Sequence, residues 1–355
     1  MNIGIITFHW AVNYGAILQS YALQTYLQKK GHNTSIINYV PIGHKKDLIR
    51  SVLNPFRAKI ELKKYFKDKK LEKFRSKFLN LTSEYNTLES LKLSPPEMDV
   101  YICGSDQVWN PYFLMKGEHG SYSPTYFLDF GDDKVMRLGY AVSFGCEKYP
   151  EIESKEASKY INRFAGIGVR ENSGKQIVKE LGYHKDAVVV PDPTLLISKE
   201  DYSKLLNKNQ EKLNNQAFVY FLRNEEDEVK DILDVISKEY NIKLNKESNK
   251  QTDDINEWIT NFANSELIFT NSFHGVVFSL IFQKPFFVYL AKGKSSGMND
   301  RFKTLLTNVG LLNRIVNSPD DINNKQNIEI NWNDVNSKIS ELREVTDRYF
   351  SNYLK

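Results

Sequence analysis

Short runs of β-branched and aromatic residues alternate along this chain with stretches of helical periodicity. Strands are predicted at Ile3–Thr7, Thr34–Tyr39, Val100–Cys103, Leu138–Ser143, Ile167–Val169 and Ala187–Val190. After a polar, charged stretch the series resumes at Ala217–Leu222, Ile242–Leu244, Glu266–Thr270 and Phe286–Leu290. Strands and helices in alternation build parallel sheets from βαβ units. Two series therefore predict an α/β fold of two Rossmann-like domains that face a central cleft. The expected divisions are residues 1–198, a linker at 199–214, a second domain at 215–330, and a C-terminal helix within 331–355 that packs back on the first domain. A chain of 355 residues is long enough for two such cores.

Several function classes are set aside at once. No apolar run reaches the length of a membrane-spanning helix. The opening Met1-Asn2-Ile3-Gly4-Ile5-Ile6-Thr7 lacks the basic and apolar blocks of a signal peptide and reads as a strand, so a cytoplasmic setting is expected. Cys103 and Cys146 have neither metal nor redox spacing. No cluster of His, Cys and Asp has the spacing of a metal site, and neither metal nor cofactor is expected. The first βα loop, Phe8–Gly15, has one glycine and lacks the G-x-G-x-x-G of a dinucleotide site. A G-x-S-x-G nucleophile elbow is also missing.

Net charge is +4, but Lys45–Lys77 holds 13 Lys and Arg against 4 Asp and Glu. Leu48, Val52, Phe56 and Ile60 recur there at four-residue intervals, the pattern of an amphipathic helix. One reading is a surface helix that meets an anionic membrane or a polyprenyl-diphosphate-linked substrate. The other is a solvated helix with one face packed on its own domain. Nothing beyond this stretch suggests nucleic-acid binding.

Ligands of parallel sheets bind beyond the carboxyl ends of the strands, so the chemistry is sought in the loops there. In Thr270-Asn271-Ser272-Phe273-His274-Gly275, Asn271 and Ser272 cap an apolar helix and His274 lies in its first turn. A titratable ring at a helix N-terminus suits an anionic ligand that also needs a proton. A core histidine bonded to a carbonyl is the alternative. The first loop carries Trp10, Asn13 and Tyr14, rings and amides that suit a sugar or that plug a domain interface. Gly104-Ser105-Asp106-Gln107-Val108-Trp109-Asn110 joins a carboxylate, two amides and an indole. Asp106 could orient or deprotonate a sugar hydroxyl, or cap the turn. Arg170 follows a strand and could fork onto a carboxylate or phosphate, or pair with Glu171 or another acid. Asp192 sits between Pro191 and Pro193, where it either caps a rigid turn or acts in chemistry. Ala291–Arg301 carries Lys292, Lys294 and Arg301 in a cationic loop that lacks Walker spacing.

These segments, with Asn13-Tyr14-Gly15-Ala16 and Tyr140-Ala141-Val142-Ser143-Phe144-Gly145, resemble in their order the polysaccharide pyruvyl transferase family. The resemblance runs from the first strand to about Arg314. It implies a fold similar to GT-B glycosyltransferases. It also implies transfer of pyruvate from phosphoenolpyruvate onto two hydroxyls of a sugar, giving a cyclic ketal and phosphate. On that basis the second domain is the donor side, with Asn271, Ser272, Lys292 or Lys294, and Arg301 around the donor and His274 as a proton donor, joined by Arg170 of the first domain. The first domain is the acceptor side, with Asn13, Tyr14, Gln107, Trp109 and Asn110 around the sugar. Asp106 or Asp192 is the base. A bacterial cytoplasmic enzyme of capsule or exopolysaccharide assembly is expected, acting on a saccharide that could be polyprenyl-diphosphate-linked, at the cytoplasmic face of the inner membrane.

Two rival readings come from other classes. A GT-B-type glycosyltransferase would use a nucleotide sugar on the same fold, since fold does not fix function. A non-catalytic carbohydrate-binding subunit would keep the sugar loops without the cationic and histidine set.

Overall fold

The structure is a computed structural model and describes residues 1–42, 58–115, 123–207, 215–222, 228–248, 254–292, 297–325 and 329–355. Leu48, Val52, Phe56 and Lys294 lie outside the described residues. The chain divides into two compact units, one of Met1–Ile197 with Leu342–Lys355 and the other of Ser198–Glu341.

The first unit is built on a sheet of β1 (Asn2–Ile6), β2 (Asn33–Ile36), β3 (Val100–Cys103), β4 (Met136–Val142), β5 (Gly166–Val169) and β6 (Val188–Val189), in the order β2-β1-β3-β4-β5-β6. The second carries β7 (Gln216–Phe221), β8 (Lys243–Ser248), β9 (Leu267–Thr270), β10 (Phe286–Tyr289) and β11 (Ile315–Val316), in the order β11-β10-β9-β7-β8. All strand pairs are parallel. Helices cover such sheets, so β3, β5, β9 and β10 are buried along their whole length. That is why they read in the sequence as unbroken apolar runs. β11 was not expected: two residues are too few to show a period.

The helices that matter below are α1 (Tyr14–Lys29), α2 (Ala58–Phe78), α3 (Asn172–Glu180), α4 (Lys230–Glu239), α5 (Ile255–Asn264), α6 (Phe273–Phe282), α7 (Asp300–Asn308) and α8 (Trp332–Ser351). Asn13 caps α1, its side chain accepting from the Ala16 N–H. Within the stretch expected as a linker, Lys199–Ser203 is a short helix opened by a capping box between Ser198 and Asp201. The C-terminal end of α8 packs on the first unit. Tyr140 and Thr346 share a hydrogen bond of 2.9 Å, Tyr349 Oη donates to the Gly139 carbonyl at 2.7 Å, and the Tyr140 and Phe350 rings stack. Gly166 has no side chain because the Tyr353 ring occupies that space; a Cβ there would lie 2.4 Å from it.

Each sheet has one place where successive connections leave in opposite directions. In the first unit it lies between β1 and β3, and in the second between β7 and β9. Such a switch point opens a crevice at the strands' carboxyl ends. Among the described residues no helix is long and apolar enough to cross a membrane.

Candidate active site

In the first unit the switch point is tied together by backbone. The Gly104 N–H donates to the Ile6 carbonyl, and Thr7 Oγ1 donates to the Ser105 carbonyl at 2.7 Å. Asp106 follows with φ +80, a conformation that costs a non-glycine residue of order 1–3 kcal/mol. The neighbouring strand is irregular at the same level. Ala141 has φ +52, and the β4–β5 register shifts between Gly139 and Val142. Asp106 bridges to Val142, its carbonyl accepting from the Ser143 N–H at 3.0 Å. Its carboxylate accepts from the Gln107 N–H, and its side chain keeps 18% of its surface exposed.

Arg170 lies at the end of β5 with its side chain 1% exposed. Nη1 donates to Asp192 Oδ2 at 3.0 Å. Asp106 Oδ1 is 3.8 Å from Nη2, and Glu171 Oε2 is 3.9 Å from Nε. Burial disfavours the guanidinium charge, but Asp192, Asp106 and Glu171 more than offset it and its pKa is raised. Asp192 is held on both oxygens. Oδ2 accepts from Ser105 Oγ as well, and Oδ1 accepts from the Thr194 N–H and hydroxyl. Glu171 Oε1 accepts from Ser143 Oγ and the Phe144 N–H. Three loop segments far apart in sequence are thus fastened by one arginine.

Arg170, expected at the donor, has its guanidinium buried among three carboxylates of its own unit. Asp192 caps the Pro193–Leu195 turn with a fully buried side chain, as the first of its two readings had it. Trp109 and Tyr14, expected beside the sugar, are buried as well. Trp109 is 0% exposed, donates Nε1–H to the Tyr126 carbonyl and stacks on Phe127. Tyr14 is equally buried, with Lys67 Nζ 4.0 Å above its ring. Gln107 and Asn110 are nearly buried and bond to each other at 2.7 Å. Asn13 and Trp10 keep partial exposure on the loop after β1.

Sequence reasoning missed three partners of this region. His9 is buried, between the Thr7 carbonyl and Asn38 Oδ1, and burial lowers its pKa to about 4. Arg75 pairs with Asp68 and Glu72, and its Nη2 donates to the Trp10 carbonyl at 3.4 Å. Lys67 is the third. The last two belong to the basic stretch, where the charge count hid which lysines and arginines turn inward.

In the second unit Asn271 spans the switch point, its Oδ1 accepting from the Leu222 N–H at 2.8 Å. Thr270 Oγ1 donates to the Tyr220 carbonyl and accepts from the Ser272 N–H. Ser272 caps α6, its Oγ accepting from the Gly275 N–H. α6 is buried throughout, and its N-terminus sits close against Thr270. A Cβ at Gly275 would lie 2.5 Å from Thr270 Oγ1. His274 in the first turn is 8% exposed. Arg301, in the first turn of α7, lies over Phe273 and Phe302 with its guanidinium carbon 5.4 Å from each ring centre. Lys292 is exposed beyond β10, its ammonium 5.0 Å from the Tyr289 ring, and a hydrogen bond to that phenol raises its pKa. The unit therefore gathers His274, Asn271, Ser272 and a helix N-terminus. The set can take an anion and hold a proton beside it. Among the described residues no group of three His, Cys, Asp or Glu could hold a metal ion.

The fold is similar to solved nucleotide-sugar epimerases. Over 99% of this chain and 96% of the other, it matches UDP-N-acetylglucosamine 2-epimerase from Rickettsia bellii at 11% identity and a TM-score of 0.53. UDP-GlcNAc 2-epimerase from Neisseria meningitidis, bound to UDP-GlcNAc, matches at 10% identity over 99% and 100% of the two chains, TM-score 0.51. A putative epimerase of the same kind from Listeria monocytogenes matches at 9% identity over 97% and 90%, TM-score 0.52. Identities this low show the fold alone, an α/β chain of two Rossmann-like units of the GT-B-like kind. No curated protein matches the sequence. A family model described as polysaccharide pyruvyl transferase matches residues 13–291, from the Asn13 cap to just past β10. Asp106, Arg170, Asp192 and His274 all fall inside that match, and the chain belongs to the polysaccharide pyruvyl transferase family.

Proposed function

We propose that the protein transfers pyruvate from phosphoenolpyruvate to two hydroxyls of a sugar in a bacterial cell-surface polysaccharide precursor. The observation that carries this reading is a histidine in the first turn of a serine-capped, buried helix, inside the family match. The donor is a small dianion or trianion. The N-terminus of α6, with Asn271 and Ser272, suits one end of it, and Arg301 and Lys292 supply charge beyond β10.

The reaction is an addition followed by a substitution. One sugar hydroxyl bonds to C2 of the enol as the methylene gains a proton and becomes methyl. The C2–O bond to phosphate then breaks, leaving an oxocarbenium centre. The second hydroxyl bonds there, loses its proton and closes the ketal, with phosphate as the other product. We assign the proton supplied to the methylene or the departing phosphate to His274 as the imidazolium. We assign the proton removed from the attacking hydroxyl to Asp106. Of the two candidate carboxylates Asp106 keeps exposed surface, whereas Asp192 is sealed. Arg170 serves as a positioning residue that neutralises Asp192 and flanks Asp106.

The rival is a nucleotide-sugar enzyme, favoured by the likeness to an epimerase bound to UDP-GlcNAc. Thermal unfolding with phosphoenolpyruvate, UDP or GDP separates the two. A ligand at 100 times its dissociation constant adds about 2.7 kcal/mol. Stabilisation by phosphoenolpyruvate alone, lost in Arg301→Ala, is expected. Stabilisation by UDP or GDP alone contradicts the pyruvyl reading.

A further inference from the structure

We infer that the outer face of α2 docks this protein on an anionic lipid surface and so presents its acceptor loop to a lipid-linked sugar. The acceptor part rests on the proposed pyruvyl transfer; the docking part does not. α2 has two faces of different chemistry. Its inner face is fastened to the loop after β1. Lys67 lies over the Tyr14 ring, Arg75 reaches the Trp10 carbonyl, and Leu71 and Phe74 are buried. Its outer face bears large apolar side chains in water. Phe66 is 60% exposed, and Leu62 and Tyr65 are each about 40% exposed. These are three of the few large apolar residues exposed among the described residues, and they sit within one turn of each other.

Charge selects the occupant of that face. Lys69, Lys70, Lys73 and Lys77 continue it toward the C-terminus of the helix, all exposed. Of the three acids of α2, Glu61, Asp68 and Glu72, the last two are drawn to Arg75. An apolar patch followed by a lysine row fits a bilayer interface, where rings and leucines enter the acyl boundary and lysines meet anionic headgroups. A protein partner of the same patch would require an acidic surface but no bilayer. The loop after β1 borders the first unit's switch point, so docking by α2 would set that crevice beside the membrane.

The test is co-flotation of the full chain with vesicles. Vesicles of phosphatidylglycerol and phosphatidylethanolamine should carry the protein, and pure phosphatidylcholine vesicles should not. Raising salt well above 0.15 M should weaken binding, because surface charge is screened. Lys69→Ser, Lys70→Ser and Lys73→Ser combined should lower affinity by about two orders of magnitude, at about 1 kcal/mol for each lysine. Phe66→Ser with Leu62→Ser should lower it too, without loss of melting temperature. Failure to bind anionic vesicles overturns the inference, as does binding that neither variant changes. Pyruvyl transfer to a soluble acceptor should survive both variants, so loss of docking and loss of catalysis are read separately.

Discussion

The charges of this protein are resolved one residue at a time, and burial decides what each can do. His274 keeps a little exposed surface at a helix N-terminus, where a proton donor is useful. His274→Ala should lower phosphoenolpyruvate-dependent turnover by about 10²–10⁴-fold and leave donor-induced stabilisation intact. A variant that turns over at the native rate would remove His274 from the chemistry. Arg170 shows the opposite case. Arg170→Ala leaves Asp192 buried without its countercharge, and the protein should lose about 3–5 kcal/mol in denaturant unfolding. A loss under 1 kcal/mol would mean that water or a rearranged neighbour replaces the guanidinium. His9 contributes a pH dependence. Burial holds its folded pKa near 4, below its ordinary value of 6.5, so the unfolded chain binds more protons between those values. Its contribution is present above pH 6.5 and is lost as pH falls toward 4, by roughly 3 kcal/mol. Replacing His9 with Gln should flatten the stability profile across that window; an unchanged slope would show that another group titrates there.

The switch-point loops owe their shape to the elements that end in them. α6 can approach β9 because position 275 has no side chain, and Gly275→Ala must push Thr270 aside. Overpacking of this kind costs about 1–3 kcal/mol, and it should reduce turnover through His274, whose ring is carried by the displaced turn. A variant with native stability and activity would show that the turn has room to give. Much of this was legible in the sequence. Parallel strands buried on both faces leave unbroken apolar runs, so their alternation with helices marked the sheets. Ser272 beside an apolar run marked the cap of α6. What stayed hidden depends on long-range packing. Nothing local to Trp109 or Tyr14 says that other rings and a lysine cover them. Arg170, Asp192 and Asp106 were each singled out, but no spacing announces that β3, β5 and β6 bring them to one point. The register shift in β4 and the positive φ at Asp106 are tertiary effects, without a sequence signature of their own.

Across the whole molecule, two units each bring a switch point, and the C-terminal segment is part of the first. Removing Leu342–Lys355 uncovers Tyr140 and the Gly139 carbonyl at the centre of that sheet. Hydrogen exchange of the truncated chain should show lost protection in β4 and β5, with β7 and β9 little changed. Equal loss in both sheets would mean that the units unfold together. Pyruvyl transfer is defined by what leaves phosphoenolpyruvate and where it goes. The decisive measurement is incubation with ¹³C-labelled phosphoenolpyruvate and precursor glycan from the producing cell, followed by NMR of the glycan. The expected result is label in a ketal carbon of the glycan, with one phosphate released per pyruvyl group transferred, and both lowered about 10²–10⁴-fold in His274→Ala. Phosphate released without label in the glycan, or incorporation only from a nucleotide sugar, would contradict it.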